Sequence, residues 1–162
     1  MKWKKFTLTT TTEAVDLVSS MLDQYGRNIT YLRISITDRC NLRCKYCMPD
    51  EVTDVGMKNI LTFEEIWEIV RAGVSLGITG GEPLVRKGCA DLIRGIRAIP
   101  GVETITMTTN GVLLRTYAAS LKEAGLDGLN VSLDTLDFEE FASLAGRQNL
   151  KEVLDGIQAA KE

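Results

Sequence analysis

Three of the four cysteines in this 162-residue chain are crowded into one segment with the spacing C-x3-C-x2-C, namely Cys40, Cys44 and Cys47. The fourth, Cys89, lies far along the chain, so the trio has no nearby fourth thiol. A structural zinc site and an electron-transfer iron–sulfur cluster each take four protein ligands. Three thiolates on a four-iron cluster would leave one iron open, and an open metal position can bind a reactant. We therefore expect these three cysteines to hold a reactive metal centre.

The rest of the composition limits the possible roles of the three cysteines. Four cysteines are too few for a disulfide framework, so a metal in a reducing compartment is favoured. The chain contains no histidine, which excludes Ser-His-Asp and Cys-His catalysis and histidine-ligated zinc. Two alternatives stay open: a zinc site that uses Cys89 or a carboxylate as its fourth ligand, and three unrelated free thiols.

Charge and hydropathy give no sign of a nucleic-acid or membrane partner. The net charge of −3 gives no sign of affinity for nucleic acid or a membrane surface. No apolar run approaches the roughly 20 residues that span a bilayer. The basic start, Met1–Phe6, is followed by the polar run Thr7–Thr12, which lacks the apolar region of a signal peptide. We expect a cytoplasmic protein.

Strand and helix signals alternate along the chain, as is typical of a parallel α/β sheet. Residues 1–25 are predicted to be an arm with an amphipathic helix over 13–24, and residues 26–162 one domain. The patterns predict strands over 30–36, 103–108 and 129–133. They predict helices over 63–76, 89–99 and 113–124, and two more on either side of Gly146.

The sequence leaves little room for the second strand of the sheet. If the helix capped by Thr62 continues to Leu76, only Gly77 and Ile78 precede the polar segment that starts at Thr79. Strands usually need about five residues. We therefore expect a stunted strand, unless the helix unwinds to supply it.

Four polar or glycine-rich segments occupy the ends of predicted strands: the cysteine loop, Thr79–Pro83, Thr108–Gly111 and Ser132–Thr135. The carboxyl ends of parallel strands meet at one rim, where active sites form. All four segments should therefore face the same rim. Taken singly, each is as typical of a turn or helix cap as of a ligand site.

Two features together resemble the radical S-adenosylmethionine (SAM) superfamily. One is the cysteine spacing with Tyr46 before the last cysteine, and the other is Gly80-Gly81-Glu82-Pro83. The chain from Gly26 onwards is more closely similar to the family of molybdenum cofactor biosynthesis protein A, the GTP cyclase. That closer similarity rests on the following stretches: 31–49, 61–66, 79–86, 108–114 and 130–134. The resemblance implies a partial (βα) barrel of TIM type with about four βα units.

The resemblance also implies a chemistry. Cys40, Cys44 and Cys47 would hold a [4Fe-4S] cluster whose open iron binds SAM through its amino and carboxylate groups. An electron from a reductant would cleave SAM to methionine and a 5′-deoxyadenosyl radical. That radical would remove hydrogen from the ribose of GTP, on the way to (8S)-3′,8-cyclo-7,8-dihydroguanosine 5′-triphosphate. The protein would position the reactants and exclude water, while the cofactor performs the difficult step.

Matching positions assign ligand contacts within the same resemblance. SAM would be contacted by three residues: Tyr46, Gly81 and Ser132. Two further cofactor-binding residues would be Gly80, which permits a close backbone approach, and Glu82, which could accept from an ammonium group. GTP would be contacted by Arg33 and Thr108. No single catalytic residue is assigned.

Two departures from the family pattern limit the implied activity. The family has a full second strand carrying an arginine that contacts GTP, and that arginine has no counterpart before Thr79. Family members are also about twice as long, and their later part supplies a second cluster. We therefore expect the N-terminal half of such an enzyme, completed by a second copy or by a separate C-terminal half. The alternative is a truncated, catalytically incompetent remnant or binding module.

Overall fold

The computed structural model describes residues 23–47, 59–71 and 75–162. In this part of the chain four strands alternate with helices: β1 Tyr31–Ser35, β2 Ser75–Thr79, β3 Thr104–Thr109 and β4 Gly128–Val131. The helices are α1 Phe63–Val70, α2 Cys89–Arg97, α3 Leu114–Glu123, α4 Phe138–Ala145 and α5 Leu150–Lys161, with a short 3-10 turn at Pro83–Val85. All strand pairs are parallel and follow the order β1-β2-β3-β4. This confirms the α/β prediction with four strands in a partial, barrel-like sheet.

The predicted helix over 63–76 is wrong at its carboxyl end. α1 stops at Val70, and Leu76 lies in a five-residue strand rather than in a helix. In the sheet Leu76 pairs with Leu32 on one edge and with Ile105 on the other. Short apolar runs suit either a helix or a strand, and here ladder hydrogen bonds on both edges decide for the strand. Of the two alternatives for the second strand, the structure shows the one in which residues predicted as helix supply a full strand, and β2 contains no arginine.

Local capping signals in the sequence are confirmed. Thr62 Oγ1 accepts from the Glu65 N–H at 3.2 Å, and Glu65 Oε2 accepts from the Thr62 N–H at 2.8 Å. This reciprocal pair starts α1. The predicted break near Gly146 separates α4 from α5, and Gly146 has a φ of +65°. The predicted helix over 13–24 lies almost entirely outside the described residues, so the division at residue 25 stays a prediction.

The two faces of the sheet differ sharply. One face packs its apolar side chains against α1, α2 and α3, and the strand residues buried there are Ile34, Leu76, Ile78, Ile105 and Met107. Side chains alternate along a strand, so the opposite face carries the intervening residues. These are mostly polar, and they include Arg33, Ser35, Thr79, Thr106, Thr108 and Asn130. Parallel sheets are usually covered on both faces, whereas Arg33, Ser35 and Asn130 on this face are exposed. In the described part of the chain this open polar face is suited to binding a polar ligand.

Candidate metal and cofactor site

The entry to the cysteine loop is built by hydrogen bonds that continue beyond β1 and β2. The Ile36 N–H donates to Thr79 O at 2.9 Å, and the Gly81 N–H donates to Thr37 O at 2.8 Å. The Glu82 N–H then donates to Arg39 O at 2.7 Å, one residue before Cys40. The segment that starts with the two glycines therefore fixes the direction in which the cysteine loop leaves the sheet.

The two glycines are needed for this close approach. A Cβ at Gly80 would lie 2.7 Å from Thr37 O, and one at Gly81 would lie 2.7 Å from Asp38 O and closer still to Arg39 O. Real Cβ atoms do not approach oxygen so closely, so any side chain would push the loop away. The glycines thus let the chain approach itself. Their predicted contact with SAM stays a prediction.

The far side of the cysteine loop is docked on the carboxyl end of α4. Backbone N–H groups of Arg43 and Lys45 donate to Ala145 O and Leu144 O at 2.9 and 3.0 Å. Leu42 is buried in a second apolar cluster made by α4 and α5, whose other members are Phe141, Ala145, Leu150 and Val153. These contacts satisfy carbonyls that would otherwise be left unpaired at the end of the helix. The loop is therefore held from both sides.

The donor set on the loop fits an iron centre with three protein ligands. None of the three cysteines is in a disulfide; Cys40 and Cys44 are half-buried and Cys47 is exposed. Burial, followed by the nearby Cys40, raises the pKa of the Cys44 thiol. A cation among the sulfurs would offset both effects, because bound metal favours the thiolate. In the described residues no three Cys, Asp or Glu side chains are already gathered as metal ligands.

Cys89 does not fit as a fourth ligand. It lies in the first turn of α2 and is 2% exposed within the main core. Burial raises the pKa of its thiol to about 12, which keeps it protonated at neutral pH. To reach a metal, Cys89 would have to leave the core and lose its proton. The zinc alternative loses its only cysteine candidate for the fourth position.

Glu82 is fully buried and its carboxylate holds the next strand end. Oε1 accepts from the Thr109 hydroxyl at 2.8 Å and the Leu84 N–H at 3.0 Å, and Oε2 accepts from the Asn110 N–H at 2.7 Å. Burial raises the pKa of this carboxyl despite the three donors. Both oxygens are occupied within the protein, so Glu82 acts as a positioning residue here. Its predicted contact with an ammonium group stays a prediction.

The residues predicted to contact SAM lie at the carboxyl rim of the sheet. The exposed Tyr46 donates its hydroxyl to Asp134 Oδ2 at 2.7 Å, which links the cysteine loop to the segment after β4. This bond raises the pKa of Tyr46. Ser132 is exposed, and its N–H donates to Thr109 O at 2.9 Å. The four predicted rim segments are thus brought together, while ligand contact by Tyr46, Gly81 and Ser132 stays a prediction.

The two residues predicted to contact GTP lie on the open polar face. Arg33 pairs with Gly77 in β2, and Gly77 pairs with Thr106 in β3. Thr108 lies two residues beyond Thr106 and so points to the same face. Arg33 is exposed and Thr108 is half-buried. A ligand lying across this face beside the cysteine loop could contact both, and that contact stays a prediction.

Two polar residues lie in the predicted rim segments but were assigned no role by the sequence analysis. Asn110 follows β3 and contacts the cysteine loop, and Asp134 receives the hydroxyl of Tyr46. Both are residue types that commonly form turns or caps, so their type alone points to a local role. The available signal was their position directly after strands of a parallel sheet.

Comparison with known proteins agrees with this geometry. Residues 34–162 match the radical SAM superfamily. Curated relatives named GTP 3′,8-cyclase are 53% identical over 148 residues in Petrotoga mobilis, 52% over 150 in Rhodopirellula baltica and 50% over 153 in Peptoclostridium acidaminophilum. These alignments cover 88%, 88% and 91% of this chain but 46%, 42% and 47% of the relatives. The chain therefore spans about half the length of the curated relatives it matches.

A solved structure supports the fold independently. The crystal structure of methylornithine synthase (PylB) superposes with a TM-score of 0.63 at 19% identity, over 95% of this chain and 49% of that chain. At this identity the likeness is evidence for the fold alone. The superfamily match extends over most of the chain and includes all three clustered cysteines. The chain belongs to the radical SAM superfamily.

Proposed function

We propose that this chain is the cluster-binding and SAM-binding portion of a radical enzyme of the GTP 3′,8-cyclase type. The observation that carries the proposal is the cysteine loop itself. Three free thiols lie at the carboxyl rim, with the remaining cysteine buried elsewhere, and their loop is held by the glycine segment on one side and by α4 on the other. Identity of about 50% to proteins named GTP 3′,8-cyclase supports the same type of reaction.

The proposal assigns a role to each part of the rim. Cys40, Cys44 and Cys47 would hold a [4Fe-4S] cluster, which with bound SAM supplies one-electron chemistry and hydrogen abstraction. Tyr46 would cover one side of the bound SAM, with its ring fixed by Asp134. Backbone groups at Gly80 and Gly81, and the hydroxyl of Ser132, would orient SAM from the other strands.

GTP is the proposed substrate, and the open polar face is its proposed site. Arg33 would pair with phosphate, since a guanidinium suits that charge and geometry. Thr108 would donate or accept a hydrogen bond on the neighbouring part of the nucleotide. β2 contributes no arginine to this face, so the guanidinium of Arg33 in β1 would carry this interaction. A one-electron donor would serve as the reductant in such chemistry.

A second candidate is a binding portion that holds the cluster and SAM without completing GTP cyclisation. The missing arginine in β2 favours it. In that case the chain would act together with a separate half or with a second copy of itself. The two candidates differ in product, so one assay distinguishes them.

The test is anaerobic reconstitution with iron and sulfide, followed by SAM and dithionite. The proposal predicts a brown protein with about four irons per chain and formation of 5′-deoxyadenosine. Added GTP should increase the yield of 5′-deoxyadenosine and give a cyclised nucleotide. Cluster and 5′-deoxyadenosine without any nucleotide product would favour the second candidate. A colourless protein that binds zinc and no iron would contradict both.

A further inference from the structure

We propose that Asn110 is a positioning residue for the metal ligand Cys40. Its side-chain amide donates an N–H···S hydrogen bond to the sulfur and thereby raises the reduction potential of the centre that this sulfur holds. The inference rests on the proposed function, because it requires an iron–sulfur centre at the three clustered cysteines. It goes further by naming a residue outside the cysteine loop that controls that centre.

The amide group of Asn110 lies directly beside the first cysteine. Nδ2 is 3.7 Å from Cys40 Sγ and 2.7 Å from Asn41 Oδ1. Oδ1 of the same amide accepts from the Val112 N–H at 3.1 Å. Because the oxygen is taken by a backbone donor, the nitrogen must face the cysteine loop. The opposite orientation would place two oxygens against each other at Asn41.

Glu82 fixes the backbone on both sides of the contact between Asn110 and Cys40. The Asn110 N–H donates to the buried Glu82 Oε2 at 2.7 Å, and the Glu82 N–H donates to Arg39 O at 2.7 Å. Asn110 and the peptide group that joins Arg39 to Cys40 are therefore attached to opposite ends of Glu82. A buried carboxylate with three hydrogen bonds moves little, so the distance between amide and sulfur is held by the fold.

Cys40 receives a second donor from its own loop. The Leu42 N–H lies 3.4 Å from Cys40 Sγ. A metal-bound thiolate accepts hydrogen bonds more strongly than a thiol, because it is charged. Donors on a ligand sulfur stabilise the more electron-rich, reduced form of a cluster. Two donors on one sulfur should therefore raise the potential, and Asn110 contributes one of them.

The experiment is a redox titration of reconstituted protein, followed by electron paramagnetic resonance. Asn110→Leu removes the donor while keeping the branched shape of the side chain, and we expect a more negative midpoint potential. Asn110→Asp keeps the acceptor for Val112 but places negative charge near the sulfur, so its shift should be larger. Asn28→Leu is the matched control, since Asn28 is exposed and precedes β1 at the opposite end of the sheet. Its potential should equal that of the wild type.

The rate at which chelator removes iron gives a second test, which does not require a redox titration. Loss of a residue that hydrogen-bonds a metal ligand typically lowers metal affinity or activity by about 10- to 100-fold, so chelator should remove iron at least about 10-fold faster from Asn110→Leu than from Asn28→Leu. Asn110→Asp keeps the experiment decisive if the leucine variant does not fold. Equal potentials in the wild type and Asn110→Asp, at equal iron content, would overturn the inference and leave the proposed function intact. Absence of iron in the wild type would overturn both.

Discussion

At the scale of single residues, Glu82 connects two motifs that are distant in the sequence. Its carboxylate accepts from Leu84, Thr109 and Asn110, and its backbone N–H holds Arg39 at the start of the cysteine loop. None of these four partners is an ionised side chain. The buried charge is therefore stabilised by dipoles alone, and burial raises the pKa of the carboxyl.

We expect Glu82→Gln to destabilise the chain. Glutamine keeps one acceptor oxygen, but its amide nitrogen would face the Asn110 N–H, so one buried donor would lose its partner. The cost should be on the order of 1 kcal/mol or more at pH 7, measured by urea unfolding. Glu123→Gln is the matched control on the exposed end of α3, and it should stay within about 0.5 kcal/mol of the wild type.

The difference in unfolding free energy between the wild type and Glu82→Gln should depend on pH, with a defined sign. The pKa of Glu82 is raised in the folded chain, so the folded state binds this proton more tightly than the unfolded state. The resulting stability is fully present below the unfolded pKa of about 4.3, and it is lost as pH rises through the folded pKa. The stability advantage of the wild type over Glu82→Gln should therefore shrink as pH rises across this window. A difference in unfolding free energy that stays constant from pH 4 to pH 8 would contradict this prediction.

At the scale of elements, the cysteine loop depends on the packing between α4 and α5. Leu42 is 4% exposed, and it is the loop residue that enters the apolar cluster of these helices. Leu42→Ala should cost about 2–5 kcal/mol and increase hydrogen exchange across residues 40–47. Leu136→Ala is the control, because Leu136 is 69% exposed and its truncation should change neither quantity. Unchanged exchange in Leu42→Ala would show that the loop is ordered by other contacts.

The glycine segment gives a second prediction at this scale. Gly81→Ala would force a Cβ against Arg39 O and Asp38 O, so we expect a loss of about 1–3 kcal/mol in unfolding free energy. Gly128→Ala is the matched control in β4, where the nearest atom is Thr106 Cγ2 at 3.5 Å, an ordinary contact. Equal stability of the two variants would show that the loop can shift without cost.

The same elements show what sequence patterns can and cannot predict. Alternation, caps and glycine stops located most elements, because those signals are local. The predicted carboxyl end of α1 was wrong because the spacing of Leu76 suits a helix. In the structure Leu76 and Ile78 pair instead with residues of β1 and β3. The position of the cysteines at the rim was predictable from topology. The burial of Glu82 and the contact between Asn110 and Cys40 were not, since each depends on side chains from separate strands.

At the scale of the whole molecule, the sheet has an open edge. In the described part of the chain β4 pairs with β3 alone. Beside it lies a groove of about 810 Å³ between β4, α3 and α5, lined by apolar residues that include Ala118, Leu129 and Ile157. Unpaired strand edges are templates for pairing with another chain. No helix among the described residues has the length and apolarity needed to span a bilayer.

We expect concentration-dependent self-association of the chain through β4. Asn130 is exposed on this strand. If two copies paired through β4, Asn130→Lys would place like charges against each other and oppose the pairing. Natural edge strands carry charged residues for the same reason. Sedimentation velocity should show less association for this variant than for the wild type. Gln148→Lys, in the exposed segment between α4 and α5, is the control with equal charge. A wild type that stays monomeric at every concentration would contradict the expectation.

The central feature of the proposed function is a metal centre held by three cysteines without a fourth. The most direct measurement is iron content after anaerobic reconstitution of Cys44→Ser and Cys89→Ser beside the wild type. Cys44 lies on the loop at the rim, whereas Cys89 is buried in the main core with a raised pKa. We predict that Cys44→Ser loses the cluster and that Cys89→Ser keeps about four irons per chain. Equal loss of iron in both variants would show that Cys89 is a ligand and that no iron is left open for SAM.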